Sequence, residues 1–155
     1  MRIYDNIIKI LNDKNINYKI YEHWPILSYE DAEIEKQVHN WEWIESKNVF
    51  MTNKKWKYFL LITLQWKKVD FKQMKELTWE KLSLSSDLEV ENIINSIPWC
   101  IPPFWFEKEI ISFVDRNIFQ YSSYLFSPWI STKTIELNPK DLKNIFLEKR
   151  FIFIN

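Results

Sequence analysis

The chain has 155 residues, 46% hydrophobic and 17% aromatic, enough to bury one core without disulfide or metal staples and too apolar for a disordered chain. Lys+Arg and Asp+Glu both number 21, so global charge attracts no nucleic acid, and any such partner must meet a local basic patch. Cys100 is the only cysteine, which excludes an internal disulfide and a multi-cysteine zinc site.

The first residues, "MRIYDNIIKILNDKNI", place Ile3, Ile7, Ile8, Ile10 and Leu11 at helical spacing over 2–13. They are charged throughout and carry no apolar signal-peptide core. No run reaches the roughly 18 apolar residues of a membrane span, so a cytoplasmic protein with no membrane partner is expected. Residues 15–23 alternate Ile16, Tyr18 and Ile20 as a strand does. Ser28, with Asp31 three residues on, predicts a capped helix.

Two strand-like runs follow, 47–52 and 57–64, joined by "NKKW" where a hairpin prefers Asn-Gly or Lys-Gly. Residues 69–78 read as a helix, 81–86 as a short strand and 87–97 as another helix. Asp70 is expected to cap the first of these helices. After the proline-rich "IPWCIPPFWF" (97–106), strands are expected over 109–115, 120–126 and 132–137. Asn138 and Pro139 then open a last helix. Helices and strands interleave throughout, which predicts an α/β or α+β domain with a mixed sheet.

Glycine is absent and tryptophan occurs nine times, although average usage predicts about 11 glycines at this length. The proline-rich stretch shows the conflict. Sharp turns favour residues that reach positive φ, and here tryptophan, the bulkiest residue, stands in them.

The segments "YEHWPILSYEDA", "SKNVFMTNKKWKYFLLITL", "KKVDFKQMKELTWEKLSLSS", "IPWCIPPFWF", "FVD" and "LFSPWISTKTIELNPKDL" occur in an order and spacing that resembles the YbaK/ProXp family. These are aminoacyl-tRNA deacylases related to the editing domain inserted in bacterial prolyl-tRNA synthetase. The resemblance spans about residues 5–147. It is most specific at Lys47–Phe50, at Val69–Asp70 and at Pro103–Phe104. It implies one domain over 1–150, with a central mixed, mostly antiparallel sheet flanked by helices, and a short tail at 151–155.

In that family glycines stand where this chain carries Trp56, Trp79, Trp99, Trp105 and Trp129. Three explanations are open: UGA codons meant as glycine but read as tryptophan, genuine divergence, and deliberate redesign without glycine. Tryptophan at several positive-φ turns costs about 1 kcal/mol or more each.

The resemblance also implies a site. Lys47 would bind and orient the aminoacyl-adenosine end; read from the residues alone, it is an ordinary solvated strand-end lysine. Asn48 would either anchor the neighbouring loop or contact substrate. The loop Trp99, Cys100, Ile101, Pro102, Pro103 and Phe104 would bring backbone groups to the scissile ester, and Trp99 holds the position of a glycine whose backbone acts in catalysis. His23 in "EHWP" would either touch the acceptor end or pack its loop. Ser127 and Ser131 stand where many relatives carry His-Pro…Asn, which leaves the amino-acid specificity open.

The implied activity is trans-acting hydrolysis of a mischarged tRNA at its 3′ acceptor end, most often alanine or cysteine on tRNA(Pro). Water is the nucleophile, no metal or organic cofactor is needed, and prolyl-tRNA synthetase is a possible partner. Two alternatives stay open: a non-catalytic tRNA- or synthetase-binding module, and a cysteine hydrolase using Cys100 with His23 as base. Lys54, Lys55, Lys57, Lys67, Lys68 and Lys72 either form a phosphate-binding patch or a plain solvated face. Asp115, which ends a strand at a position where the family has a similar aspartate, is either structural or part of the site.

Overall fold

The computed structural model describes residues 2–40, 44–104, 109–147 and 151–155. Helix α1 (Arg2–Asp13) buries Ile7 and Leu11 completely, as its spacing predicts. Strand β1 (Tyr18–Glu22) leads to α2 (Tyr29–His39), whose N-cap Ser28 accepts a hydrogen bond from the Asp31 amide at 3.1 Å. Strands β2 (Ile44–Thr52) and β3 (Tyr58–Leu64) form an antiparallel hairpin.

Helix α3 (Phe71–Thr78) starts at its cap Asp70, whose carboxylate accepts from Gln73 N–H at 3.0 Å. Strand β4 (Ser83–Leu84) and α4 (Asp87–Ile94) follow, the latter opened by a capping box between Ser86 and Glu89. A 3₁₀ turn (Pro98–Cys100) carries the chain to β5 (Ile111–Asp115). Strands β6 (Tyr124–Phe126) and β7 (Lys133–Leu137), helix α5 (Lys143–Phe146) and strand β8 (Phe151–Ile154) complete it.

One sheet runs in the order β1-β7-β6-β2-β3-β5-β8, with β4 added to β2. The pairings β1–β7, β6–β7, β2–β3 and β2–β4 are antiparallel; β2–β6, β3–β5 and β5–β8 are parallel. Central β3 explains the apolar run "YFLLITL". Leu60, Ile62 and Leu64 enter the larger core with α1, while Phe59 and Leu61 enter a smaller one with Met74 of α3. A strand buried on both faces loses the polar alternation of a half-exposed one.

Three segments depart from expectation. Of the strand expected over 120–126 only Tyr124–Phe126 forms β6; residue 120 closes a 3₁₀ turn, Arg116–Gln120, that opens where Asp115 accepts the Asn117 amide. The last helix begins as a 3₁₀ turn, Pro139–Leu142, before α5. Residues 151–154, expected as a tail, form an edge strand paired with β5, because Phe151 and Phe153 pack on one core and Ile154 on the other.

The turns show where tryptophan meets backbone. Positive φ occurs at Asn15, Asn40 and Asn95, at Lys54, and at Trp56 (69°), Trp79 (60°) and Trp129 (77°). Asparagine tolerates this region through its short polar side chain; tryptophan does not. Trp79 is the left-handed cap that ends α3, with its N–H donating to Lys75 O at 2.8 Å, a position that favours glycine. Trp105, another expected glycine position, lies outside the described residues.

Candidate functional site

Strand β2 builds the site. Ile44 and Glu45 pair with β6 at one end, and Met51 and Thr52 pair with β4 at the other. Between these pairings the same edge has no strand partner among the described residues. A cavity of about 270 Å³ opens there, lined by Ser46 to Phe50, Leu84 and Ser85, Leu125 to Ser127, and Pro98, Trp99 and Ile101. The gap in the sheet is therefore the cleft, and Lys47 is the cation in its lining.

Lys47 Nζ donates to the Lys67 carbonyl at 2.9 Å. That carbonyl is held in turn. Lys67 Nζ lies 2.5 Å from Asp115 Oδ2, which also accepts from Thr63 Oγ1 at 2.9 Å, while Asp115 Oδ1 accepts from Asn117 N–H at 2.9 Å. Asp115 is 3% exposed, and these bonds and the paired ammonium compensate its buried charge.

Asn48 Nδ2 donates to the Ile101 carbonyl at 2.8 Å and ties the proline-rich loop to β2. Its Oδ1 is buried and has no hydrogen-bond partner among the described residues. A buried acceptor without a donor costs about 1–3 kcal/mol.

The loop itself is short of donors. Pro98, Pro102 and Pro103 have no N–H, and Cys100 N–H already donates to Ile97 O at 3.0 Å. Trp99 and Ile101 are the remaining N–H bearers between 98 and 103. The Trp99 indole forms part of the cavity wall and meets Tyr29 edge-on, with ring centroids 4.6 Å apart.

The structure thus brings Lys47, Asn48, Trp99, Ile101, Ser127 and Ser131 to one cavity. Cys100, Pro102, Pro103 and Phe104 are buried and do not line it. Burial pushes the Cys100 thiol above its ordinary pKa, which leaves it a poor nucleophile. His23 lies one contact away: Nε2 is 2.8 Å from Oγ1 of the lining Thr134, and Nδ1 is 2.7 Å from Trp24 O. Tyr29, Ser46, Ser85, Asp87 and Thr134 also line the cavity. Sequence reading missed them because each comes from a different element, at no shared spacing.

Of the six lysines named from sequence, Lys67 pairs with Asp115 and Lys57 lies 3.7 Å from Glu80. Lys54, Lys55, Lys68 and Lys72 are exposed. Among the described residues no three His, Cys, Asp or Glu side chains group to hold a metal ion, and no helix is long and apolar enough to cross a membrane.

Residues 24–145 match the model of the aminoacyl-tRNA editing domain. The chain is 25% identical over 147 residues to the prolyl-tRNA editing protein ProX of Acetoanaerobium sticklandii, covering 90% of this chain and 87% of that one. Among solved structures, the hypothetical protein APE2540 superposes with a TM-score of 0.80 at 15% identity, over 95% of this chain and 97% of that one. A candidate trans-editing enzyme for prolyl tRNA synthetase gives 0.78 at 14% identity, over 100% and 96%. With the family model spanning most of its length, the chain belongs to the aminoacyl-tRNA editing domain family, the YbaK/ProXp family that its sequence resembles.

Proposed function

We propose that this protein is a trans-acting aminoacyl-tRNA deacylase that hydrolyses the ester of alanine or cysteine on tRNA(Pro). The observation that carries this reading is the open edge of β2, where Lys47, Asn48, Trp99 and Ile101 line one cavity. Water attacks the ester carbonyl, the bond to the terminal ribose oxygen breaks, and the water's proton ends on that oxygen. Free amino acid and uncharged tRNA leave.

In this scheme the Lys47 ammonium orients the acceptor end as a point charge. A loop amide, from Trp99 or Ile101, stabilises the developing oxyanion. Ser127 and Ser131 face the amino-acid side chain, and buried Pro102, Pro103, Phe104 and Cys100 support the loop. His23 acts through Thr134. Exposed Lys54, Lys55, Lys68 and Lys72 supply phosphate contacts along the tRNA, and prolyl-tRNA synthetase is the partner that supplies the mischarged product.

Trp99 favours a second reading. Its indole fills the cleft wall against Tyr29, as in a domain that binds tRNA or synthetase without hydrolysis. Deacylation of Ala-tRNA(Pro) and Cys-tRNA(Pro) by the chain as written and by Trp99→Gly separates the two. Hydrolysis by either protein supports the enzyme. No hydrolysis by a folded Trp99→Gly protein, with tRNA still bound, overturns it in favour of the binding module.

A further inference from the structure

We infer that the tryptophans at 56, 79 and 129 are read from UGA codons that the source cell decodes as glycine, so that the protein it makes carries glycine there. Two observations meet. First, these three residues have φ of 69°, 60° and 77°, in the region that glycine enters freely and an L-residue with a bulky side chain avoids. The other positive-φ residues are three asparagines and a lysine. No glycine is available anywhere in the chain to take such positions.

Second, the tryptophans do no core work. Trp41, Trp43 and Trp105 lie outside the described residues. Of the other six, none is buried: Trp24, Trp56, Trp66 and Trp79 are 67–91% exposed, and Trp99 and Trp129 are half-buried. Tryptophan is normally highly buried on average, and in this chain phenylalanine, tyrosine, leucine and isoleucine fill both cores. Genuine divergence would place tryptophan where its area is used. A codon misread places it wherever glycine stood, which is in turns and at the surface. The same reading extends to Trp99, where glycine would remove the indole from the cavity wall.

The test is direct. Nucleotide sequencing reads the codons at 56, 79 and 129, and mass spectrometry of tryptic peptides 76–81 and 117–133 from the source cell reads the residues. UGA codons with glycine in both peptides is the expected result. A UGG codon at any of the three positions, or tryptophan in either peptide, overturns it.

A separate set of contacts carries a second inference, which rests on the deacylase reading: the geometry points to Lys67 and Asp115 as positioning residues for Lys47. Among the described residues Lys47 Nζ donates to a carbonyl, not a carboxylate, and that carbonyl belongs to Lys67. Lys67 is anchored by its side chain to Asp115, at the end of β5, two strands away from β2. The ion pair therefore sets where the Lys67 carbonyl lies, and with it where the ammonium of Lys47 points.

Lys67→Met should lower kcat/KM by about ten- to a hundredfold, with Lys67→Arg restoring most of it. In a Lys47→Ala background the Lys67→Met loss should disappear, because the two act in series. Amine-acylation labelling of Lys47, read by mass spectrometry, should quicken in Lys67→Met whether or not the protein is active. Unchanged labelling, or a full Lys67→Met loss in the Lys47→Ala background, overturns the positioning role. Changed labelling in a protein that hydrolyses no aminoacyl-tRNA would instead overturn the deacylase reading alone.

Discussion

Trp56→Gly and Trp79→Gly should stabilise the chain, against the usual direction for removing a large apolar side chain. Both residues are 91% exposed, so deleting the indole forfeits almost no buried area. Holding an L-residue in the left-handed region costs about 1–2 kcal/mol, all of it released by glycine. Glycine also loosens the unfolded chain, which takes back about 0.4–1 kcal/mol per site. The net gain is about 0.5–1 kcal/mol each. The two positions sit in separate turns, so the double variant should gain about 1–2 kcal/mol. For a domain of this size that raises Tm by about 2–8 °C.

Trp129→Gly should gain less, because the indole Nε1 donates to Asn95 O at 2.9 Å and that bond is lost. Trp66→Gly is the control. Trp66 is 67% exposed but not at positive φ, so glycine there releases no strain; it brings the entropic penalty and removes the ring over which Lys67 Nζ lies at 5.6 Å. Urea melts with a shared m-value, together with calorimetry, measure all four. If Trp56→Gly and Trp79→Gly lower Tm as Trp66→Gly does, the strain argument is refuted.

We predict that Lys47→Ala costs about a hundredfold in kcat/KM on Ala-tRNA(Pro) with Tm shifted by only a few degrees, checked by single-turnover deacylation. Asn48→Ala removes the tie to Ile101 O and should destabilise by about 1–2 kcal/mol in urea titration, whereas an unchanged midpoint would mean the loop holds itself. Raising the salt concentration should weaken tRNA binding, and changing Lys54, Lys55, Lys68 and Lys72 to Gln should flatten that slope in filter binding. Cys100 carries a thiol pKa raised by burial. Above the ordinary thiol value the unfolded chain releases a proton that the folded chain keeps, so stability falls as pH rises into that window. Melting Cys100→Ala across the same range should remove the slope.

Local signals in the sequence were enough for most elements. The spacing of Ile7 and Leu11, the Ser28 and Asp70 caps and the apolar run of β3 each depend on neighbours within a few residues. They were readable because helix and strand periodicity is a local property. Lys47, Asn48 and Trp99 were picked out through the family resemblance, since composition alone made Lys47 an ordinary surface lysine. The short β6 was not readable, because Asp115 diverts the preceding residues into a 3₁₀ turn. Nor was β8, whose run of four apolar residues is too brief to stand alone and is stabilised by pairing with β5.

The absence of glycine and the excess of tryptophan belong to the sequence by itself, and they raised the turn problem before any coordinates. Only the tertiary structure put positive φ under Trp56, Trp79 and Trp129 and showed their indoles outside the cores. It alone left the edge of β2 bare between β6 and β4, ran Lys47 through the Lys67 carbonyl to Asp115, and left Asn48 Oδ1 without a donor among the described residues. Those contacts join residues up to 80 positions apart. Which edge stays unpaired, and which acceptor goes without a donor, depend on how every strand packs at once, and no local pattern encodes that.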